Sequence, residues 1–74
     1  MDPDVTLRNA IDAAKRVREM VDPNQDLTSQ IAEWDSETVK EIVTYAERTA
    51  MLLTELDEWI RNGGFIPDRW SIKG

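Results

Sequence analysis

Apolar residues in the first third of the chain fall at Leu7, Ala10, Ile11, Ala14, Val17, Met20 and Val21. Steps of three and four put them on one face of a helix. The other side carries Arg8, Asp12, Lys15, Arg16, Arg18 and Glu19. Asp2 suits the cap, Pro3 the first helical position, and Asp4 the positive helix end. Pro23 is the stop, because it removes a backbone donor and disfavours the helical conformation at Asp22. The pattern predicts a helix over 3–22, with surface pairs such as Asp12 to Arg16 along its polar face. Lys15, Arg16 and Arg18 read as part of that solvated face.

Pro23-Asn24-Gln25-Asp26 is a turn signal. Leu27, Ile31 and Trp34 follow at steps of four and three, which predicts a short helix over 27–34 capped by Asp26. Trp34 is placed as a lid over the open end of the helix pair. A second long helix is expected over 36–62, capped by Asp35 or Ser36, with Glu37 in its first turn and no Gly or Pro inside it. Its apolar face is Val39, Ile42, Val43, Ala46, Ala50, Leu53, Leu56 and Ile60, widened by Met51. Beside it runs a second stripe, Tyr45, Leu52 and Trp59, repeating every seven residues. A partner helix of about 20 residues cannot cover both stripes over a length of about 40 Å. The C-terminal tail and a second copy of the chain are the candidates for the remainder.

Asn62-Gly63-Gly64 ends the second helix, since glycine closes a helix C-terminus in the left-handed conformation without steric cost. The tail then places Phe65, Ile66 and Trp70 within six residues. Folding back onto a groove gains these side chains several kcal/mol at about 25 cal/mol per Å². Ser71 to Gly74 lacks a packing pattern and is expected to fray. The fold class that follows is all-α: residues 1–74 as a single antiparallel helical hairpin, with 1–22 the first helix, 23–35 an acidic connection, 36–62 the second helix and 63–74 a hinge and aromatic tail. Two copies would form a four-helix bundle, the homodimer that covers the wide apolar face.

Composition narrows the functions available. The 74 residues contain neither Cys nor His and carry a net charge of −6. Zinc fingers, haem and iron–sulfur ligation, Cys nucleophiles and His bases are therefore absent. The acidity is uneven: residues 23–38 carry −4, residues 39–62 carry −2, and residues 63–74 carry +1. Direct nucleic-acid binding is not expected, since it needs a basic face. Met1-Asp2-Pro3-Asp4 is acidic and lacks an apolar leader, and no apolar run approaches a membrane span. The cytosol is the expected compartment, with no membrane contact and no cofactor.

One constellation invites a metal. Asp22, Asn24 and Asp26 stand at positions 1, 3 and 5 of a calcium-loop pattern, with Thr28 and Gln30 at positions 7 and 9 and Glu33 at position 12. The pattern fails at position 6, where Leu27 replaces the glycine of the sharp turn. A calcium-binding helix–loop–helix is therefore the alternative reading, beside an acidic inhibitor of a DNA-binding protein. No enzymatic site is expected. Carboxylate pairs such as Asp57 and Glu58 follow from acidity, and glycosidic chemistry needs a cleft between two carboxyls. Gly63-Gly64 follows a helix instead of preceding one, which is the wrong polarity for phosphate.

The stripe of Tyr45, Leu52 and Trp59, extended by Phe65, Ile66 and Trp70, has the aromatic composition of an interaction surface. Its last part belongs to a longer pattern, Leu56-Asp57-Glu58-Trp59, then Gly63-Gly64-Phe65, then Pro67 and Trp70, with Met1-Asp2-Pro3 at the start. This pattern resembles small acidic proteins of unknown function from phages of mycobacteria and other actinobacteria. The resemblance covers about 15 residues at the C-terminal end and the first three, and leaves out the middle. It implies a phage origin and a small helical fold, and it implies no activity. The expected function is a non-enzymatic protein–protein interaction protein, a phage accessory factor acting on a host protein in the host cytosol.

Overall fold

A computed structural model describes residues 1–71. It contains three α-helices, α1 (Pro3–Met20), α2 (Leu27–Glu33) and α3 (Ser36–Arg61), followed by a 3-10 turn at Asp68–Trp70. Among the described residues there is no strand. The all-α hairpin expected from the periodicity is present, with α1 packed against α3. Residues 72–74 of the stretch expected to fray lie outside the described residues.

Each helix starts on an aspartate. The Asp2 carboxylate accepts from the Asp4 and Val5 amides, with Pro3 at the first helical position. Asp26 accepts from the Ser29 amide and hydroxyl, and Asp35 from the Thr38 amide at 2.8 Å. These bonds satisfy amides that have no partner within their own helix. The Asp35 carboxyl is held below its ordinary pKa, first by the Thr38 amide bond and then by the Thr38 side chain. At the other end of α3, the Gly63 amide donates to Ile60 O and the Gly64 amide to Trp59 O. Gly63 has φ +90°. This pair of reversed bonds is the Schellman closure, and its left-handed residue takes glycine because a Cβ is penalised there.

The hairpin is antiparallel. Arg16 on α1 lies over the ring of Tyr45 on α3, while Asp4 at the start of α1 meets Asp68 beyond the end of α3. The fully covered hydrophobic core is small: Leu7, Ala10, Ala13 and Leu56. Around it, Ile42, Tyr45, Thr49, Leu52, Trp59 and Ile60 are half-buried. Thr49 is tolerated in that stripe because its hydroxyl donates to Tyr45 O at 2.8 Å.

The apolar face expected on the long helix is therefore split: Ile42, Leu56 and Ile60 are covered beside the second stripe, and its other members are not. Tyr45, Leu52 and Trp59 sit with Ile42 and Leu56 on the side that meets α1 and the tail. Val39, Val43, Ala46, Ala50 and Leu53 are exposed, Val43 at 60% and Leu53 at 51%. The exposed stripe is turned about 100° from the covered one, since each residue advances a helix by about 100°. The surface pairs also differ from the expected i,i+4 pattern on α1. Arg16 pairs with Glu19 at 3.5 Å instead of Asp12, and its guanidinium is shared with the Tyr45 face.

Candidate functional site

The connection between α1 and α2 is organised by Gln30. This side chain is buried, and its amide oxygen accepts from the Asp22 backbone N–H at 2.8 Å. Its amide nitrogen donates to Asp22 O at 2.7 Å and Gln25 O at 3.1 Å. One side-chain amide thus pairs with a backbone residue as a neighbouring strand would, and no polar atom of it is left unpaired. The Asp22 carboxylate closes the turn by accepting from the Asn24 amide.

These bonds bear on the calcium pattern, whose ninth position, Gln30, is itself spent on the backbone. Asp22 and Asp26 direct their carboxylates at local backbone amides. Thr28 and Glu33 lie within α2, because the chain becomes helical at Leu27, the position where a calcium loop turns sharply. A helix from position 6 onward projects its side chains radially instead of wrapping them around a centre. Among the described residues, no group of three or more acidic side chains is placed to hold a metal ion.

The tail end is built from different parts. The Trp59 indole N–H donates to Phe65 O at 3.0 Å, and the Trp59 and Phe65 rings meet edge to face at 5.7 Å. Gly64 passes so close to the indole that a Cβ there would overlap its ring atoms. Gly64 is thus glycine for close approach, whereas Gly63 is glycine for its positive φ. Beyond them Pro67 is buried, as is Pro3. The Asp68 amide donates to Asp4 Oδ1 at 2.7 Å, tying residues 64 apart in sequence. Asp4, read from sequence as a helix-dipole residue, is also the anchor of the tail. No sequence signal marks that role, since any acidic residue in a first turn looks the same.

The backbone of the tail is therefore fixed while its large side chains point outward. Phe65 is 64% exposed, Ile66 is exposed and Trp70 is 45% exposed. The six residues of the expected interaction surface divide accordingly. Tyr45, Leu52 and Trp59 are half-buried within the hairpin, and Trp59 is the post on which the tail hangs. Phe65, Ile66 and Trp70 remain accessible. Tyr45 is flanked by two cations, with Arg16 and Arg48 at 6.0 and 5.7 Å from its ring centre.

No helix among the described residues is long and apolar enough to cross a membrane. Compared with known proteins, the chain matches no family model, no curated protein and no solved structure.

Proposed function

We propose that this chain is a non-enzymatic helical interaction protein that docks onto another protein through its tail end. The observation that carries the reading is the pinned tail. Its backbone is held by Trp59, Pro67 and Asp4, yet Phe65, Ile66 and Trp70 face solvent. A flexible tail would order on binding at a cost of about 0.5–1.5 kcal/mol per immobilised side chain, and prior fixing avoids much of it. Rigid aromatic anchors are also the residues that dominate interface energies. On the resemblance of its two ends, the protein is a phage accessory factor and its partner a host protein in the host cytosol. It acts as a homodimer, a four-helix bundle in which the second copy covers what the hairpin leaves bare.

The test is capture of a host protein from an actinobacterial lysate by the wild-type chain, set against Trp70→Ala and Phe65→Ser. A specific partner lost in both variants, with helicity kept and melting lowered by no more than several degrees, supports the reading. Recovery of no partner, or equal recovery by all three chains, rejects it.

A further inference from the structure

The exposed stripe of α3 has the spacing of a helix-packing seam. Val39, Val43, Ala46, Ala50 and Leu53 recur at steps of four, three, four and three, the repeat with which two helices interlock. No charged residue interrupts the seam until Asp57. It lies on one side of the hairpin. The groove on the other side mixes Asn9, Asp12 and Arg48 with Met51 and Leu52, and Arg16 covers Tyr45 there, so charged side chains interrupt it. Because α1 runs antiparallel, the side of α1 that continues the seam carries Ile11 and Ala14, which are left half-buried.

Two measures show how much cover is missing. The chain exposes 5707 Å², whereas a folded chain of 8.5 kDa exposes about 4,700 Å². The surplus of about 1,000 Å² exceeds the roughly 800 Å² that each partner buries in a standard interface. The radius of gyration is 15.3 Å and the thinnest extent 16 Å. A compact domain of this length has a radius of gyration of about 11 Å. The hairpin is one layer of helices, and domains are built from two.

We infer that the second layer is another copy of this chain, its α3 seam packed antiparallel on this one about a two-fold axis near Ala46. This specifies the homodimer of the proposed function and rests on that part of it alone. The occupant is a second copy because the cover is needed for folding itself. A core of two leucines and two alanines, without disulfides, is too small to hold a chain of this length firmly. Only another copy is present whenever the chain is made. Ala46 and Ala50 at the middle of the seam allow two α3 helices to approach closely. The tail does not compete, since it is tied to Trp59 and Asp4 at the end of the hairpin.

The experiment combines mass with distances. Sedimentation of the wild-type chain should give twice 8.5 kDa. Ala50→Glu, a change at an exposed position of the single chain, should halve that mass, and Trp70→Ala should leave it intact. The chain lacks cysteine, so Glu47→Cys and Glu58→Cys each carry one spin label. The antiparallel pair gives a short distance at 47 and about 30–40 Å at 58, at about 1.5 Å of rise per residue. Equal short distances at both sites overturn the antiparallel arrangement. A dimer indifferent to Ala50→Glu overturns the seam while leaving self-association standing. A mass of 8.5 kDa at every concentration overturns the dimer altogether and leaves the tail-docking reading untouched. If Ala50→Glu does not fold, the wild-type melting midpoint decides. It should rise over a hundredfold increase in concentration, and a constant midpoint overturns the inference.

Discussion

The two ends of the hairpin are closed by different physics. At the connection, one buried amide, Gln30, makes three hydrogen bonds to the backbone of Asp22 and Gln25. Aspartate caps at 26 and 35 do the rest. At the tail, closure comes from shape: an indole, a glycine without a side chain to obstruct it, a buried proline, and one long-range bond to Asp4. The polar end is locally wired, with partners within eight residues of each other. The apolar end joins residues 64 apart. Local wiring forms early and cheaply in conformational entropy, whereas the tail closes a loop that includes nearly the whole chain. The apolar closure also leaves aromatic side chains facing out, and the polar one does not. The proposed docking surface therefore lies at the end whose closure is made of large side chains.

The sharpest way to break this contrast is Gly64→Ala. Its Cβ overlaps the Trp59 indole, so either the ring moves and releases Phe65 O or the tail lifts. A loss of about 3 kcal/mol is expected from overpacking together with the broken bond. Urea denaturation measures it, and Trp fluorescence should shift to the red. A change within experimental error would mean that the tail is not held against Trp59.

Removing the polar lock comes next. Gln30→Ala leaves the Asp22 N–H, Asp22 O and Gln25 O without their partner. The site is only partly shielded, so the expected cost is about 2 kcal/mol. Amide exchange should accelerate at Asp22 while amides at the tail keep their protection. Acceleration at both ends alike would show that the two closures are not separate.

How far these features could be read from sequence depends on whether their cause is local. The helix caps at Asp2 and Asp26, the start at Asp35 and the closure at Gly63 were all legible, because capping is decided within a few residues. The division of labour between the stripes was not. Both stripes satisfy helical periodicity. Which positions meet α1 depends on the angle at which the connection delivers α3, and periodicity does not carry that angle. A lone glutamine in a short helix gives no sign that its amide reaches back eight residues. The tail was legible as a segment that folds back, but not which of its residues would be covered. Pro67 is buried and Trp70 half out, although hydrophobicity alone would rank them the other way.

That distinction sets the next effect. Were Trp70 the residue docked in a groove, its loss would cost about 3 kcal/mol. With 45% of it exposed, Trp70→Ala should cost about 1 kcal/mol in thermal or urea unfolding. Its effect on partner capture should be far larger than its effect on stability, which is the signature of a side chain held out for binding. A stability loss as large as that of Gly64→Ala would reassign Trp70 to the fold and remove it from the docking surface.

The smallest effect concerns acid, and it should touch the polar end through Asp35. Its carboxyl titrates below the ordinary aspartate range because the Thr38 amide, and then the Thr38 side chain, bonds its charged form. A group whose pKa is lower folded than unfolded contributes stability above its unfolded value, about 3.9. That contribution is lost as pH falls from there through the folded value, when the cap takes up its proton. The start of α3 should therefore loosen in acid, while the Trp59–Phe65 contact, which has no charge, should not respond by itself. The Thr38 amide resonance reports the event directly. Its titration midpoint should lie below 3.9, and Asp35→Asn, which keeps an acceptor oxygen but cannot titrate, should abolish the transition. A Thr38 midpoint at or above the ordinary aspartate value would show that the cap bond does not favour the charged carboxylate, and the polar end would then owe its order to Gln30 and the Asp26 cap.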